Sequence, residues 1–393
     1  MQGAPFVLFC AGEDSGDILG ESLVRSVVSV GLHARGVGGP RMQFSGLKPI
    51  ADYEDLPVSG FFDVFLQAHR LKGILEKLIA LLECENCVAL VCIDYPGFNM
   101  RLAPIATRLK KPVLYVAPPQ VWAWKKMRAY RLRKACLAVL FDFERQVYES
   151  YGMKAALLEH PFLRACRKAS AGRLNPANPA PASSFRTAHS RVLLLPGSRL
   201  SQALRNVAFF KAVASSLHER NPECTFVVAV SRTGIRDSLE SAFKGGEGLP
   251  GWITLENVPL QVDARCKFFS RFQVALCIPG SATLELALSG VSPVVTDVLD
   301  PITYFVCRYF VKTKYFALPN LLLSRGAIPE VYFTRRESRM AWNVENVAHS
   351  LQAALDHPVQ SLPAELISSF ANAVTPDELM VEFFRKFFER DSH

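Results

Sequence analysis

The stretch VALVCIDYPGFN, residues 88 to 99, decides the fold. Its apolar run continues unbroken to Ile93, as expected of a strand buried on both faces of a parallel sheet. Asp94 then places a carboxylate at the strand's carboxyl end, and Pro96 and Gly97 stop the strand directly afterwards. In open parallel sheets, ligands bind in the crevice beyond the carboxyl ends of the strands. Asp94 is therefore either a turn or cap residue or a group positioned for chemistry, and this stretch alone leaves both readings open.

The same alternation extends on either side. Residues 6 to 11 read as a strand, and Ile18, Leu19, Leu23, Val27 and Val30 supply the apolar stripe of a following helix. The loop between them, AGEDSGD (11 to 17), carries Glu13, Ser15 and Asp17. Its glycines permit close backbone approach, Ser15 or Asp17 can cap the helix, and its amides suit an anion or hydroxyl. GVGGPRM (36 to 42) repeats the theme, but its spacing is not G-x-G-x-x-G, which disfavours a nicotinamide enzyme. Beyond the opening stretch, residues 100 to 109 predict a helix, and residues 112 to 116 and 137 to 141 predict strands. Residues 172 to 191 are rich in proline, alanine, serine and asparagine, which marks a linker.

The second half restarts with predicted strands at 191 to 195, 225 to 230, 274 to 278 and 291 to 296. PGSR (196 to 199) follows the first, and PGSATLE (279 to 285) follows the third and opens a helix. The small residues Gly280, Ser281 and Thr283 leave that helix amino terminus free to meet a diphosphate. Arg199, beside Ser198, can add a charge-assisted contact. There is no P-loop G-x-x-x-x-G-K-[ST]. The fold expected is α/β, with two Rossmann-like domains facing a central cleft: residues 1–185, residues 186–362, and a helical tail at 363–393.

A chain of 393 residues suits two domains, and 50% hydrophobic with 21% charged residues is globular. The net charge of +9 suggests an anionic partner, which could be nucleic acid, an anionic membrane or a phosphorylated substrate. No recognition motif supports nucleic acid. The ten cysteines lie mostly in apolar runs, consistent with reduced thiols in a reducing compartment. Cys84 and Cys87 form one C-x-x-C with no second ligand pair, so no metal is expected. The amino terminus lacks the basic start of a signal peptide, and the apolar stretch 275 to 295 is broken by Pro279, Gly280, Gly290 and Pro293. A soluble or peripheral protein is expected.

Two segments could meet a membrane. Phe61, Phe62 and Phe65 lie in a stretch of helical periodicity and belong either to a core helix or to a lipid-facing patch. Trp122 and Trp124 precede a basic run from 125 to 134 that includes Lys125, Lys126 and Arg128. That run is either a solvated face or a contact with anionic lipid, at ~1 kcal/mol per cation. The last predicted helix, 377 to 388, pairs Phe383, Phe384, Phe387 and Phe388 with Arg385 and Lys386. It reads as a surface that packs against another domain or a second copy in a homodimer.

Taken in order, these motifs resemble the lipid-A-disaccharide synthase family over nearly the whole chain. AGEDSGD with GESL is similar to the family's AGExSGDxxGAxL, GVGGPRM to GxGGxxM, and IDYPGFN to ID(A/S)PDFN. VWAW with its basic tail, PGSR, the SATLE helix and VKTKYFALPNLL (311 to 322) follow, the last being the most specific. The resemblance implies an inverting, metal-independent glycosyltransferase of the B-type fold with no cofactor. It would join a UDP-2,3-diacylglucosamine donor to a 2,3-diacylglucosamine 1-phosphate acceptor, as a peripheral protein on the cytoplasmic face of a bacterial inner membrane. The first domain would face acceptor and membrane, and the second would bind the UDP-sugar. Asp94 takes the position of the general base and Arg199 that of the arginine near the donor diphosphate. Glu285 falls in the nucleotide-binding helix and Asn320 in the LPN motif, while Glu13, Ser15 and Asp17 would line the first-domain side. A UDP-sugar epimerase on the same fold is the alternative. The sequence departs from the family pattern at Pro279, at Gln202 after PGSR, at VVTDV (294 to 298), and at LEHP in place of VGHP.

Overall fold

The computed structural model describes residues 4–12, 14–52, 61–119, 130–171, 190–231, 233–244, 248–301, 303–304 and 314–388. It divides into two compact units, Met1–Pro161 with Phe370–His393, and Phe162–Ser369.

The first unit is built on seven parallel strands: β1 (Phe6–Ala11), β2 (His33–Val37), β3 (Leu47–Pro49), β4 (Cys87–Ile93), β5 (Val113–Val116), β6 (Cys136–Val139) and β7 (Ala155–Leu157). Their order is β3-β2-β1-β4-β5-β6-β7. Every residue of β1 is buried, because helices cover both faces of the sheet. Leu8 and Cys10 face a core with Leu78, Leu90, Cys92 and Tyr115, and Val7 and Phe9 face the opposite core with Leu19, Leu23 and Val91. This period-2 alternation is what a strand buried on both sides requires. Side chains such as these contribute roughly 1.5–3 kcal/mol each when buried. The second unit holds six parallel strands: β8 (Arg191–Leu195), β9 (Thr225–Val230), β10 (Ile253–Asn257), β11 (Val274–Cys277), β12 (Ser292–Leu299) and β13 (Glu330–Thr334). Their order is β10-β9-β8-β11-β12-β13.

Both sheets reverse their winding once. In the first, successive strands run outward from β1 to β3, then restart at β4 on the other side of β1. In the second, they run from β8 to β10 and restart at β11. The switch points therefore lie between β1 and β4 and between β8 and β11, where open α/β sheets form ligand crevices.

Several expected elements differ in extent. The helix expected from residue 100 begins at Pro96 and runs to Arg108, since proline at a helix's first position needs no hydrogen-bond donor. Pro96 therefore starts a helix, where the sequence suggested only the end of a strand. β2, β3, β10 and β13 are short or partly polar and carry no clear apolar run. The helix Pro161–Ala171 precedes the compositional linker, residues 172–189 of which lie outside the described residues. Its Phe162 packs on Phe269 at 6.2 Å between ring centroids, which is why the compact units divide at Pro161 rather than within the linker. Among the described residues no helix is long and apolar enough to cross a membrane.

After Phe370 the chain returns to the first unit. Val374 forms a parallel bridge with Leu158, its N–H donating to Leu157 O at 2.8 Å while Glu159 N–H donates to Val374 O at 2.8 Å. Asp377 accepts a hydrogen bond from the Ser26 hydroxyl. The helix Pro376–Phe388 lays Leu379, Met380 and Phe383 into the core that contains Leu19, Leu23 and Val27. The side chains of Phe387 and Phe388 lie outside the described residues. Phe383 is 2% exposed, so Phe383→Ala should lower stability by about 3–5 kcal/mol. Denaturant unfolding of the full chain checks this, and a shift below about 1 kcal/mol would mean that the terminal helix is not held as described.

Candidate active site

At the first switch point, Asp94 directly follows β4. It and Tyr95 are consecutive non-glycine residues in left-handed backbone, at φ +47° and +48°, a conformation costing roughly 1–2 kcal/mol per residue. Hydrogen bonds impose it. Asp94 N–H donates to Val116 O at 2.9 Å, and the Asp94 carbonyl accepts from Asn99 Nδ2 at 2.8 Å and from the Tyr115 hydroxyl at 3.0 Å. Asn99 is fully buried, and the same Nδ2 lies 3.1 Å from Cys10 O and 3.3 Å from Ile93 O. One amide thus ties the carboxyl ends of β1 and β4 together. Burial pushes the Tyr115 phenol well above its ordinary ionisation, with smaller contributions from Cys92 and Asp94, so it stays a donor. At ~0.5–1.5 kcal/mol each, these bonds offset the backbone strain. The turn leaves the Asp94 side chain half-buried, with Ser15 Oγ 3.4 Å from Oδ2.

The AGEDSGD loop closes against this turn. A Cβ at Gly12 would stand 2.6 Å from the Tyr95 ring, so only glycine fits there. Helix Asp14–Ser29 starts within the motif, which places Ser15 and Asp17 inside the helix and not at its cap. Asp17 instead accepts from the backbone N–H groups of Arg41, at 3.1 Å, and Met42, at 3.0 Å. It thereby caps a different helix, Pro40–Phe44, which explains why AGEDSGD and GVGGPRM occur together. Ser15 is the member of the trio found beside Asp94; Asp17 is engaged in holding the fold, and Glu13 lies outside the described residues.

At the second switch point, the two predicted phosphate loops end neighbouring strands, PGSR after β8 and PGSATLE after β11. Arg199 and Ser198 are exposed, and Arg199 stands at the N-cap of helix Leu200–Arg220. Asn206 anchors that helix from a fully buried position. Its Nδ2 donates to Asp297 Oδ1 and its Oδ1 accepts from Val298 N–H, both at 2.8 Å. Burial raises the Asp297 carboxyl above the usual range, and the Asn206 amide partly opposes this. Gly280, at φ +155°, turns the chain into helix Ser281–Leu288 with open space where a Cβ would be. Ser281 is exposed at the helix start, whereas Thr283 is buried and donates to Gly280 O at 2.7 Å.

Glu285 is 3% exposed and pairs with Arg265, whose Nε lies 2.6 Å from Oε2. A buried carboxylate needs such a partner, and removing one member of a buried pair typically costs about 3–5 kcal/mol. Asn320 is fully buried and closes a two-way bond with the backbone of Ile328, donating at 2.9 Å and accepting at 2.8 Å. Both residues sit in expected motifs and are occupied in shaping the unit. Trp122, Trp124, Lys125, Lys126 and Arg128 lie outside the described residues. Phe61, Phe62 and Phe65 lie on helix Phe61–Glu83, with side chains outside them.

Sequence reasoning passed over Asn99, Tyr115, Asn206 and Arg265. Asn99 carried a signal, since an asparagine within an apolar helix start is a poor helix former that needs a reason. Arg265 carried none: only the folded chain brings it to Glu285.

A family model described as lipid-A-disaccharide synthetase matches residues 7–361. The lipid-A-disaccharide synthase of Anaeromyxobacter dehalogenans (strain 2CP-C) is 33% identical over 355 residues, covering 87% of both chains. Among solved structures, the S. aureus MnaA–UDP co-structure aligns with a TM-score of 0.64 at 11% identity, over 98% of this chain and 97% of that one. The spinosyn rhamnosyltransferase SpnG aligns at 0.56 and 13% identity, over 96% and 99%. Those two likenesses concern the fold, which is that of two Rossmann-like domains. The family match spans both switch points and every motif built on them, and this chain belongs to the lipid-A-disaccharide synthase family.

Proposed function

We propose that Asp94 is the general base with which this chain forms the glycosidic bond of a lipid A disaccharide. The observation that carries the reading is a half-buried carboxylate at the β1/β4 switch point, in a turn held in left-handed backbone. The acceptor is 2,3-diacylglucosamine 1-phosphate and the donor UDP-2,3-diacylglucosamine. Asp94 takes the proton from the acceptor 6-hydroxyl as that oxygen attacks the donor's anomeric carbon. The bond from that carbon to the diphosphate breaks with inversion, giving a β-1,6 disaccharide 1-phosphate and UDP. A sugar hydroxyl is a poor nucleophile, and a positioned base contributes typically ~10² to 10⁴-fold. Negative charge develops on the departing diphosphate. In this reading Arg199 and the amide groups at Ser281 are the groups that stabilise it.

In this scheme Ser15 orients the Asp94 carboxylate, Ser198 borders the phosphates, and Glu285 and Asn320 shape the donor side. Both substrates carry acyl chains, so the enzyme works at a membrane surface, on the cytoplasmic face of the inner membrane. The Phe61 to Phe65 segment and the basic run from Lys125 serve as lipid contacts.

Incubating the protein with donor and acceptor should give a disaccharide 1-phosphate and UDP; an epimerised UDP-sugar without disaccharide would refute the reading. Asp94→Asn should lower kcat by ~10² or more with the melting temperature unchanged, and near-normal turnover would remove Asp94 from the base role. Arg199→Ala should lower kcat/KM for the donor by about 10- to 100-fold, the worth of a hydrogen bond to a charged group. Initial rates at varied donor concentration measure this, and an effect confined to the acceptor would contradict it.

A further inference from the structure

We propose that the second unit carries its own docking surface for anionic phospholipid, built from Arg335, Arg336, Arg339, Met340 and Trp342. The inference rests on the membrane-surface reading above and assigns it a site that the sequence motifs do not include. The segment follows β13 and enters helix Ala341–Asp356 through a single turn at Glu337–Arg339. Arg335, Arg336, Arg339 and Met340 line an open concavity of about 710 Å³. All three arginines are exposed, and among the described residues none of them is in an ion pair with a carboxylate. The one acid in the run, Glu337, turns its carboxylate back onto Thr334, accepting from its N–H and hydroxyl at 2.8 Å each. Asn343 Nδ2 donates to Glu337 O at 2.8 Å, which pins the turn to the helix that follows.

An arginine cluster alone would suit any phosphate, free or lipid-borne. The apolar neighbours decide between these sources. Trp342 is 67% exposed and Met340 43% exposed, a placement that has no benefit toward a soluble anion. Tryptophan beside cationic side chains is the composition that partitions into the headgroup zone, where the indole meets the acyl boundary and the guanidinium groups meet lipid phosphates. A preformed turn presents them together, so little ordering is needed on contact.

The test is sedimentation of the full chain with vesicles of phosphatidylglycerol and phosphatidylcholine (1:1) or phosphatidylcholine alone. The wild type should bind the anionic vesicles more tightly, in a salt-dependent manner. The triple variant Arg335→Ser, Arg336→Ser, Arg339→Ser should lose on the order of 100-fold in partition coefficient, and the corresponding triple lysine variant should retain most of it. Brominated lipid should quench part of the tryptophan emission, and Trp342→Phe should diminish that quenching. Equal vesicle binding by wild type and triple serine variant would overturn the proposal, as would quenching undiminished in Trp342→Phe. Saturable binding of inorganic phosphate that is lost in the triple serine variant, with vesicle binding unchanged, would assign the cluster to a soluble anion and also overturn it. Disaccharide synthesis from detergent-dispersed substrates should be unchanged in the triple serine variant. Failure of that synthesis in the wild type would refute the proposed function, whatever the vesicles show.

Discussion

The first unit depends on one side-chain amide. Asn99 Nδ2 reaches the carbonyls of Cys10, Ile93 and Asp94, which lie at or next to the carboxyl ends of the paired strands β1 and β4. The Asp94 carbonyl has a second donor in the Tyr115 hydroxyl, whereas Asn99 Nδ2 is the side-chain donor that reaches the Cys10 and Ile93 carbonyls, and buried acceptors of this kind need one. An apolar residue at 99 would remove these contacts, at about 1–3 kcal/mol for each buried acceptor left without a donor. It would also release the left-handed turn that sets the direction of Asp94. Stability and site geometry are therefore the same interaction, and the polar residue is tolerated inside the helix for that reason.

The second unit solves the corresponding problem with a different geometry. There, Asn206 clamps the helix behind Arg199 to β12 through Asp297 and the Val298 amide. The side chain that could meet a ligand, Arg199, is about two helical turns away from the one that fixes the backbone, Asn206. Buried asparagines serve both units because a carboxamide donates without carrying a charge to desolvate, and Asn206 also accepts. Asp297 is the exception, a buried carboxylate whose charged form burial disfavours and the Asn206 amide supports.

Much of this was legible in the sequence. Strands buried on both faces announce themselves as continuous apolar runs, and β1, β8 and β9 begin and end where the composition says. Glycines and small residues likewise marked the loops at both switch points. Partnerships between distant residues were not legible. AGEDSGD and GVGGPRM each looked like an anion loop, yet the Asp17 carboxylate of one caps the helix opened by the other. Glu285 and Asn320 stood in expected motifs, yet their visible contacts are with Arg265 and Ile328. Local spacing reports which residue types occur together. It does not report which polar group a buried residue must satisfy, because that depends on which strand ends adjoin. Edge elements such as β3 and β13 escaped for a related reason: they bury one side chain in two at most, and a partly polar run has no distinctive period.

Under the proposed roles, the switch point of each unit carries one sign of charge. The loop end of β4 presents an anionic group, the half-buried Asp94 carboxylate, from a turn whose backbone is fixed by its own hydrogen bonds. The loop ends of β8 and β11 present the opposite character: an arginine at one helix N-cap and the open amino terminus of another, with no side chain at Gly280 to fill the approach. Proton removal from the attacking oxygen and charge development on the leaving diphosphate are the two events that an inverting transfer must assist. A preorganised carboxylate suits the first and preorganised positive potential suits the second. Exchanging them would hinder both steps, since Arg199 could not take a proton and Asp94 would repel the departing phosphate. The sign of the charge at each switch point is thus as constrained as its position.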